Sequence, residues 1–160
     1  MKPVWILRFF FNLPLFVFTK IFLVKEIKGK ENLGLKNFIL TSNHQSYLDV
    51  LVNGFICFPR QFHFIGQVDS WQGLIGILVK IFYFIEGVIP LDRKNEESRK
   101  QTLEKAVKVL KGGGILIIYP EGRRSRNGQL QKGRLGAAKV FLKTEVPILP
   151  IGIKKNLKSI

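Results

Sequence analysis

Phe38-Ile39-Leu40-Thr41-Ser42-Asn43-His44-Gln45-Ser46-Tyr47-Leu48-Asp49 decides how this chain is read. The first four residues form a short run of aromatic, branched and β-branched side chains, the composition of a buried strand. Ser42-Asn43 then supplies turn chemistry. Ser46 to Asp49 has the form of a capping box, a hydroxyl with a carboxylate three residues on, and an apolar run follows it. The spacing therefore predicts a helix that starts near Ser46 and ends before Pro59.

The alternation of strand and helix continues outward. Phe62-His63-Phe64-Ile65 reads as a strand, and so does Gly87-Val88-Ile89-Pro90-Leu91, whose proline suits an edge or a strand end. The clearest helix covers about Asn95 to Lys111. Leu103, Ala106, Val107 and Leu110 recur there at helical spacing, Glu96 and Glu97 occupy the first turn, and Gly112 terminates it. Ile115 to Tyr119 is a continuous apolar run, as in a strand covered on both faces. A helix from about Gly136 to Lys143 and a strand from Ile148 to Ile153 complete the series. With 160 residues and no internal repeat, low-complexity tract or long linker, the expected fold is α/β. It is a single layered domain with a central mostly parallel sheet flanked by helices, preceded by an apolar N-terminal membrane-associating helix.

That N-terminal segment needs its own argument. Within the first 24 residues the longest charge-free stretch, Phe9 to Thr19, has 11 residues, short of the roughly 20 that a spanning helix needs. The first alanine is Ala106, so the small-residue pattern of a cleavable signal is missing. Two readings stand. One is an interfacial anchor over residues 1–25, ahead of a domain over 26–160, with Lys2, Arg8, Lys20 and Lys25 near lipid head groups. The other is a core helix packed on its own domain. A second apolar stretch, Gly73 to Ile85, is apolar nearly all round and fits a buried or a membrane-facing helix equally well.

Charge narrows the partners. Lys plus Arg number 26 against 11 Asp plus Glu, a net charge of +15, so the chain seeks anions. Between Gly122 and Thr144 seven basic residues occur without an acidic one. The phenylalanines cluster instead of alternating with basic residues, which argues against a nucleic-acid stacking surface and for an anionic membrane surface. One cysteine, Cys57, excludes an intramolecular disulfide and a thiolate zinc cluster, and fits a reducing compartment. Two histidines, His44 and His63, leave little material for a metal site. No metal and no cofactor are expected. Cys57 lies in an apolar stretch without a basic neighbour in sequence, which reads as a buried structural thiol, not a nucleophile.

His44 directly after a strand, with Asp49 in the next helix's first turn, can form an imidazole–carboxylate pair. The carboxylate orients the ring through one nitrogen and leaves the other to take a proton. The plainer alternative has Asp49 capping the helix and His44 as a satisfied loop histidine. Three further segments follow in order: Val88-Ile89-Pro90-Leu91-Asp92-Arg93, Tyr119-Pro120-Glu121-Gly122-Arg123-Arg124-Ser125, and Val146-Pro147-Ile148-Leu149-Pro150-Ile151. Together with the Asn43-His44 to Asp49 segment, they resemble the four ordered motifs of the glycerolipid acyltransferases. The likeness is to the 1-acylglycerol-3-phosphate (lysophosphatidate) acyltransferase branch.

That resemblance implies direct transfer of a fatty acyl group from a thioester to the free hydroxyl of 1-acylglycerol-3-phosphate, giving phosphatidate in phospholipid synthesis. It implies His44 and Asp49 as the catalytic pair. Arg93 would bind the acceptor phosphate, with Glu121, Gly122 and Arg124 shaping the glycerol-phosphate site. The donor is acyl-CoA or acyl carrier protein, both acidic, and the acceptor is a lysophospholipid. The enzyme would sit on the cytoplasmic face of the cell membrane as a peripheral or monotopic protein, without a nucleic-acid partner. Two departures bear on this. Arg123 stands where the family usually has Thr or Ser, so it either meets a more highly charged head group or faces solvent. The chain ends nine residues after Ile151, short of where the family continues, as a compact version or a truncated one. The alternatives are transfer to another lysophospholipid or lyso-aminolipid, and a non-catalytic peripheral protein that binds anionic lipid.

Overall fold

A computed structural model describes residues 2–68, 73–125 and 127–154, without the side chains of residues 2–5 and 7. Five strands, β1 (Ile39–Ser42), β2 (Phe62–Gln67), β3 (Ile89–Leu91), β4 (Ile115–Ile118) and β5 (Ile148–Ile151), make one sheet in the order β3-β2-β4-β1-β5. Every neighbouring pair is parallel. The helices are α1 (Lys2–Phe18), α2 (Leu48–Cys57), α3 (Gly73–Glu86), α4 (Glu96–Lys111) and α5 (Gly136–Thr144). Asn95 caps α4, its side chain accepting the Ser98 N–H at 3.1 Å. The proline-bearing strands β3 and β5 are the two edges, where a missing N–H costs no ladder bond.

The central strands are apolar on both sides because both faces are covered. Phe38, Leu40, Phe62, Phe64, Ile115 and Ile117 point to one face and pack with Cys57 of α2 and Phe16 of α1. Ile39, Leu116 and Ile118 point to the other, against Ala106 and Leu110 of α4 and Ala137 and Val140 of α5. Each such large side chain contributes about 1.5–3 kcal/mol by burial. The connection leaving β1 runs through α2 on the first face, while that leaving its neighbour β4 runs through α5 on the second. The carboxyl ends of β1 and β4 therefore flank a crevice at the switch point of the sheet, where α/β domains hold ligands.

Helix α1 is amphipathic in reverse. Arg8, Asn12 and Phe16 share its buried stripe, continued by Thr19 of the π-helical turn Thr19–Leu23, while Ile6, Phe10, Phe11, Leu13, Val17 and Phe18 are exposed, as are Ile21 and Phe22 of that turn. Arg8 is thus not a head-group residue. Its guanidinium is buried, donates to the Phe62 carbonyl at 2.6 Å and pairs with Glu86 of α3 at 3.5 Å. Asn12 donates to the same carboxylate at 3.0 Å. A buried charge is tolerated only with such partners, and Glu86, far along the chain, supplies them. Lys20 and Lys25 are exposed, and the Lys2 side chain lies outside the described residues.

The second apolar stretch forms α3, and it is not a core helix. Gly76 and Glu86 are its buried residues, while Leu74, Ile75, Ile77, Leu78, Ile81, Phe82 and Phe84 are open to solvent. Among the described residues no helix is long and apolar enough to cross a membrane.

Candidate active site

His44 stands in the turn just past β1, and Asp49 in the first turn of α2. Asp49 is 2% exposed, and its Oδ2 gathers three donors: the backbone N–H of Gln45 at 2.5 Å, that of Ser46 at 2.6 Å and His44 Nδ1 at 3.2 Å. The capping box is only half formed. Ser46 offers its N–H to Asp49, but its hydroxyl accepts from Leu48 at 3.2 Å instead of from Asp49. Asp49 therefore does both things that the sequence allowed, holding the helix start and the imidazole at once. Burial pushes the Asp49 carboxyl up, but the bonds from His44, Ser46 and Gln45 outweigh it and hold the group below its ordinary range.

Glu121 lies in the turn after β4, also buried. Its Oε1 accepts the His44 backbone N–H at 3.0 Å and its Oε2 the Gln131 N–H at 3.1 Å. The Ser125 N–H donates to the His44 carbonyl at 2.7 Å, so the histidine turn is strapped to the β4 turn from both sides. Gly122 has φ +67°, a left-handed conformation, and a Cβ there would meet the Arg134 side chain at 3.0 Å. Arg134 is itself fixed by its N–H to the Pro120 carbonyl at 2.7 Å. Arg124 sits over the Tyr47 ring, its guanidinium carbon 3.6 Å from the ring centre, and donates to the Tyr47 hydroxyl at 2.8 Å. Arg123 donates to Gln131 at 2.6 Å and is exposed.

His44, Arg93, Gly122 and Arg124 line one groove of about 1500 Å³, and Asp49 and Glu121 support it from behind. Its lining is largely apolar, with Val50, Leu51, Phe62, Phe64, Val79 and Phe82 among the residues. The lining also carries Arg93, Arg99, Lys100, Arg123, Arg124, Arg134 and Lys139, together with Glu86, Glu96 and Glu97. The sequence-predicted residues are thus brought to one place. Tyr119, Asn53, Arg134, Gln131 and Tyr47 were not anticipated. Tyr119 stacks on the His44 ring, centroids 4.0 Å apart at 18°, and Asn53 Nδ2 donates to its hydroxyl at 3.1 Å. Cys57 is buried among apolar residues and its thiol is pushed up to about 12, which suits a structural thiol. His63 is held to the Gly87 carbonyl at 2.7 Å, and burial lowers its pKa. Arg126, one of the basic run, lies outside the described residues. Among the described residues no cluster of His, Cys, Asp or Glu could hold a metal ion.

An α/β domain with an imidazole–carboxylate pair at its switch point, facing a largely apolar groove that also carries basic side chains, is the class that fold and site define. The chain belongs to the acyltransferase family, whose match covers residues 25–154. It is 31% identical over 150 residues to a chloroplastic 1-acyl-sn-glycerol-3-phosphate acyltransferase of Arabidopsis thaliana, covering 92% of this chain and 39% of that protein. It is 32% identical over 127 residues to the 1-acyl-sn-glycerol-3-phosphate acyltransferase of Borreliella burgdorferi, covering 78% of this chain and 49% of that protein. The chain thus spans less than half the length of either relative. The fold is similar to the crystal structure of the 1-acyl-sn-glycerophosphate acyltransferase from Thermotoga maritima, with a TM-score of 0.57 at 23% identity over 90% of this chain and 70% of that one.

Proposed function

We propose that this chain is a 1-acylglycerol-3-phosphate O-acyltransferase. It moves a fatty acyl group from a thioester, acyl-CoA or acyl carrier protein, to the free hydroxyl of lysophosphatidate. The observation that carries the reading is the His44–Asp49 pair at the lip of the groove. Asp49 holds Nδ1, which leaves Nε2 as the proton acceptor. As the acceptor hydroxyl attacks the thioester carbonyl, a C–O bond forms, His44 takes the hydroxyl proton, and the C–S bond breaks. The proton then passes to the departing thiolate. The names borne by the Arabidopsis and Borreliella relatives support this acceptor.

Arg93 and Arg124 are the phosphate ligands in this reading, since guanidinium forks match phosphate oxygens. Glu121 and Gly122 shape the glycerol-phosphate site: Glu121 by fixing the His44 turn, and Gly122 by letting the backbone pass close to Arg134. Arg123 is exposed and engaged by Gln131, which supports the solvent-facing role over a second head-group contact. Residues 1–25 form the membrane-associating segment and 26–160 the catalytic domain, with the protein on the cytoplasmic face of an anionic membrane. The outward apolar side chains of α1 and α3 and the basic side chains of the groove support that arrangement.

The decisive experiment measures free thiol released from an acyl thioester when lysophosphatidate is supplied. His44→Ala is expected to abolish transfer, since general-base help is worth about 10²–10⁴-fold, while the protein stays folded and vesicle-bound. Near-normal turnover in His44→Ala overturns the reading.

A further inference from the structure

We infer that Tyr119 is a positioning residue for His44, a π-platform that holds the imidazole plane and faces the positive charge that the ring acquires when it takes the hydroxyl proton. The inference rests on His44 being the base proposed above. The two rings are stacked face to face, centroids 4.0 Å apart and 18° from parallel. An aromatic face carries negative charge density, so it attracts a cation above it and does little for a neutral ring. Tyr119 thus stabilises the state that exists after His44 has taken the hydroxyl proton more than the state before. Asp49 acts on the same ring from its edge, at 3.2 Å, and Tyr119 from its face, so one fixes rotation and the other tilt.

The second half of the argument is behind the phenol. Asn53 of α2 is fully buried, and its Nδ2 donates to the Tyr119 hydroxyl at 3.1 Å. Its Oδ1 has no partner. Exchanging the amide's oxygen and nitrogen only moves the orphan, because a single phenol hydroxyl faces the group. A leucine of similar volume would fill the space and remove the orphaned oxygen, but it would leave the Tyr119 hydroxyl without this donor. An asparagine there makes sense as the group that fixes the height and plane of Tyr119. Burial also pushes the Tyr119 phenol up, so no phenolate forms beneath the imidazole at neutral pH.

The chain has two histidines, so imidazole resonances can be followed individually in the full-length protein on vesicles of anionic phospholipid. The charged and titratable groups around the ring are Asp49 from α2 and Glu121 on its backbone N–H, together with Arg123, Arg124 and Arg134, which line the same groove. All of these remain in every variant. Tyr119→Leu is expected to move the acidic limb of the kcat/KM profile to lower pH by about half to one and a half units. It should also abolish the ring-current shift of the His44 carbon-bound protons and reduce kcat with little change in KM for lysophosphatidate. Tyr119→Phe keeps the face, loses only the bond to Asn53 and should move the limb less.

If leucine unsettles the fold, seen as movement of the His63 resonances, a series of progressively fluorinated phenylalanines at position 119 replaces it. Fluorination weakens the face with little change in shape, and the acidic limb of the kcat/KM profile should move to lower pH with each step. An acidic limb and a ring-current shift indifferent to these changes overturn the inference. Failure of the general-base reading is separate, because it shows as turnover retained in His44→Ala.

Discussion

Asp49→Asn deletes a charge and leaves a geometry. The carboxylate oxygen that accepts from Gln45, Ser46 and His44 can be replaced only by the amide oxygen, because an NH2 group at 2.5 Å and 2.6 Å from two N–H donors would repel both. The ring therefore keeps its place and loses its counter-charge. At 3.2 Å the attraction between imidazolium and carboxylate is about 5 kcal/mol at an effective dielectric of 20 and about 1.3 kcal/mol in bulk water. With the His44 side chain 16% exposed and that of Asp49 3%, the pair lies between these limits. A loss of about 3–4 kcal/mol corresponds to a fall in kcat of about 10²–10³-fold. Stability should fall by about 1 kcal/mol, since the charge also sits at the amino end of α2.

The pH dependence has a definite sign. The Asp49 carboxyl is held below its ordinary value in the folded protein. Its contribution is therefore present above the unfolded value near 3.9 and is lost as pH falls through the lower folded value. Denaturation midpoints of wild type and Asp49→Asn should differ at neutral pH and converge in acid. Thiol release gives the rate. Turnover within about threefold of wild type, or midpoints that stay apart by the same amount in acid, would refute the reasoning.

Arg8→Met leaves Glu86 buried without its cation and should cost about 3–5 kcal/mol by chemical denaturation, and the double change Arg8→Met with Glu86→Leu should recover part of it, since Asn12 and the Phe62 carbonyl still lose these partners. Gly122→Ala puts a Cβ 3.0 Å from the Arg134 side chain at φ +67°. It should cost about 1–2 kcal/mol and raise KM for lysophosphatidate more than KM for the thioester. Sedimentation with anionic vesicles should weaken as salt rises from about 0.05 to about 0.5 M, because the Debye length shrinks from about 14 to about 4 Å. Phe10→Asp with Phe84→Asp, both on outward faces, should weaken that sedimentation further while leaving the denaturation midpoint in place.

What was legible in the sequence was local. The strand, turn and helix around His44, the helix ended by Gly112 and the edge character of the Pro90 strand all depend on residues a few positions apart. The His44–Asp49 pair was legible for the same reason, since five residues separate the partners. Arg8 was misjudged because its partner, Glu86, is distant in sequence, and a charge beside phenylalanines looks the same from either side of a helix. Helix α3 was undecidable because periodicity has nothing to measure in a stretch apolar all round. Tyr119 marked only the end of an apolar run. Its stack on His44 follows from β1 and β4 lying side by side with Thr41 opposite Ile118, a register that no local pattern encodes.

The strand order also sets a timetable. β1 leaves the ribosome early, but both of its hydrogen-bonded neighbours, β4 and β5, leave late. Until Ile115 has emerged, β1 has no native neighbour at all, and β2 can pair only with β3. During that interval α1 and α3 have already been made, and their phenylalanines and leucines are exposed. Closing loops of this span is slow compared with pairing neighbouring strands. Slowing elongation between Leu91 and Ile115 should therefore increase aggregation of the nascent chain, or its capture by lipid, without any change in the stability of the finished protein.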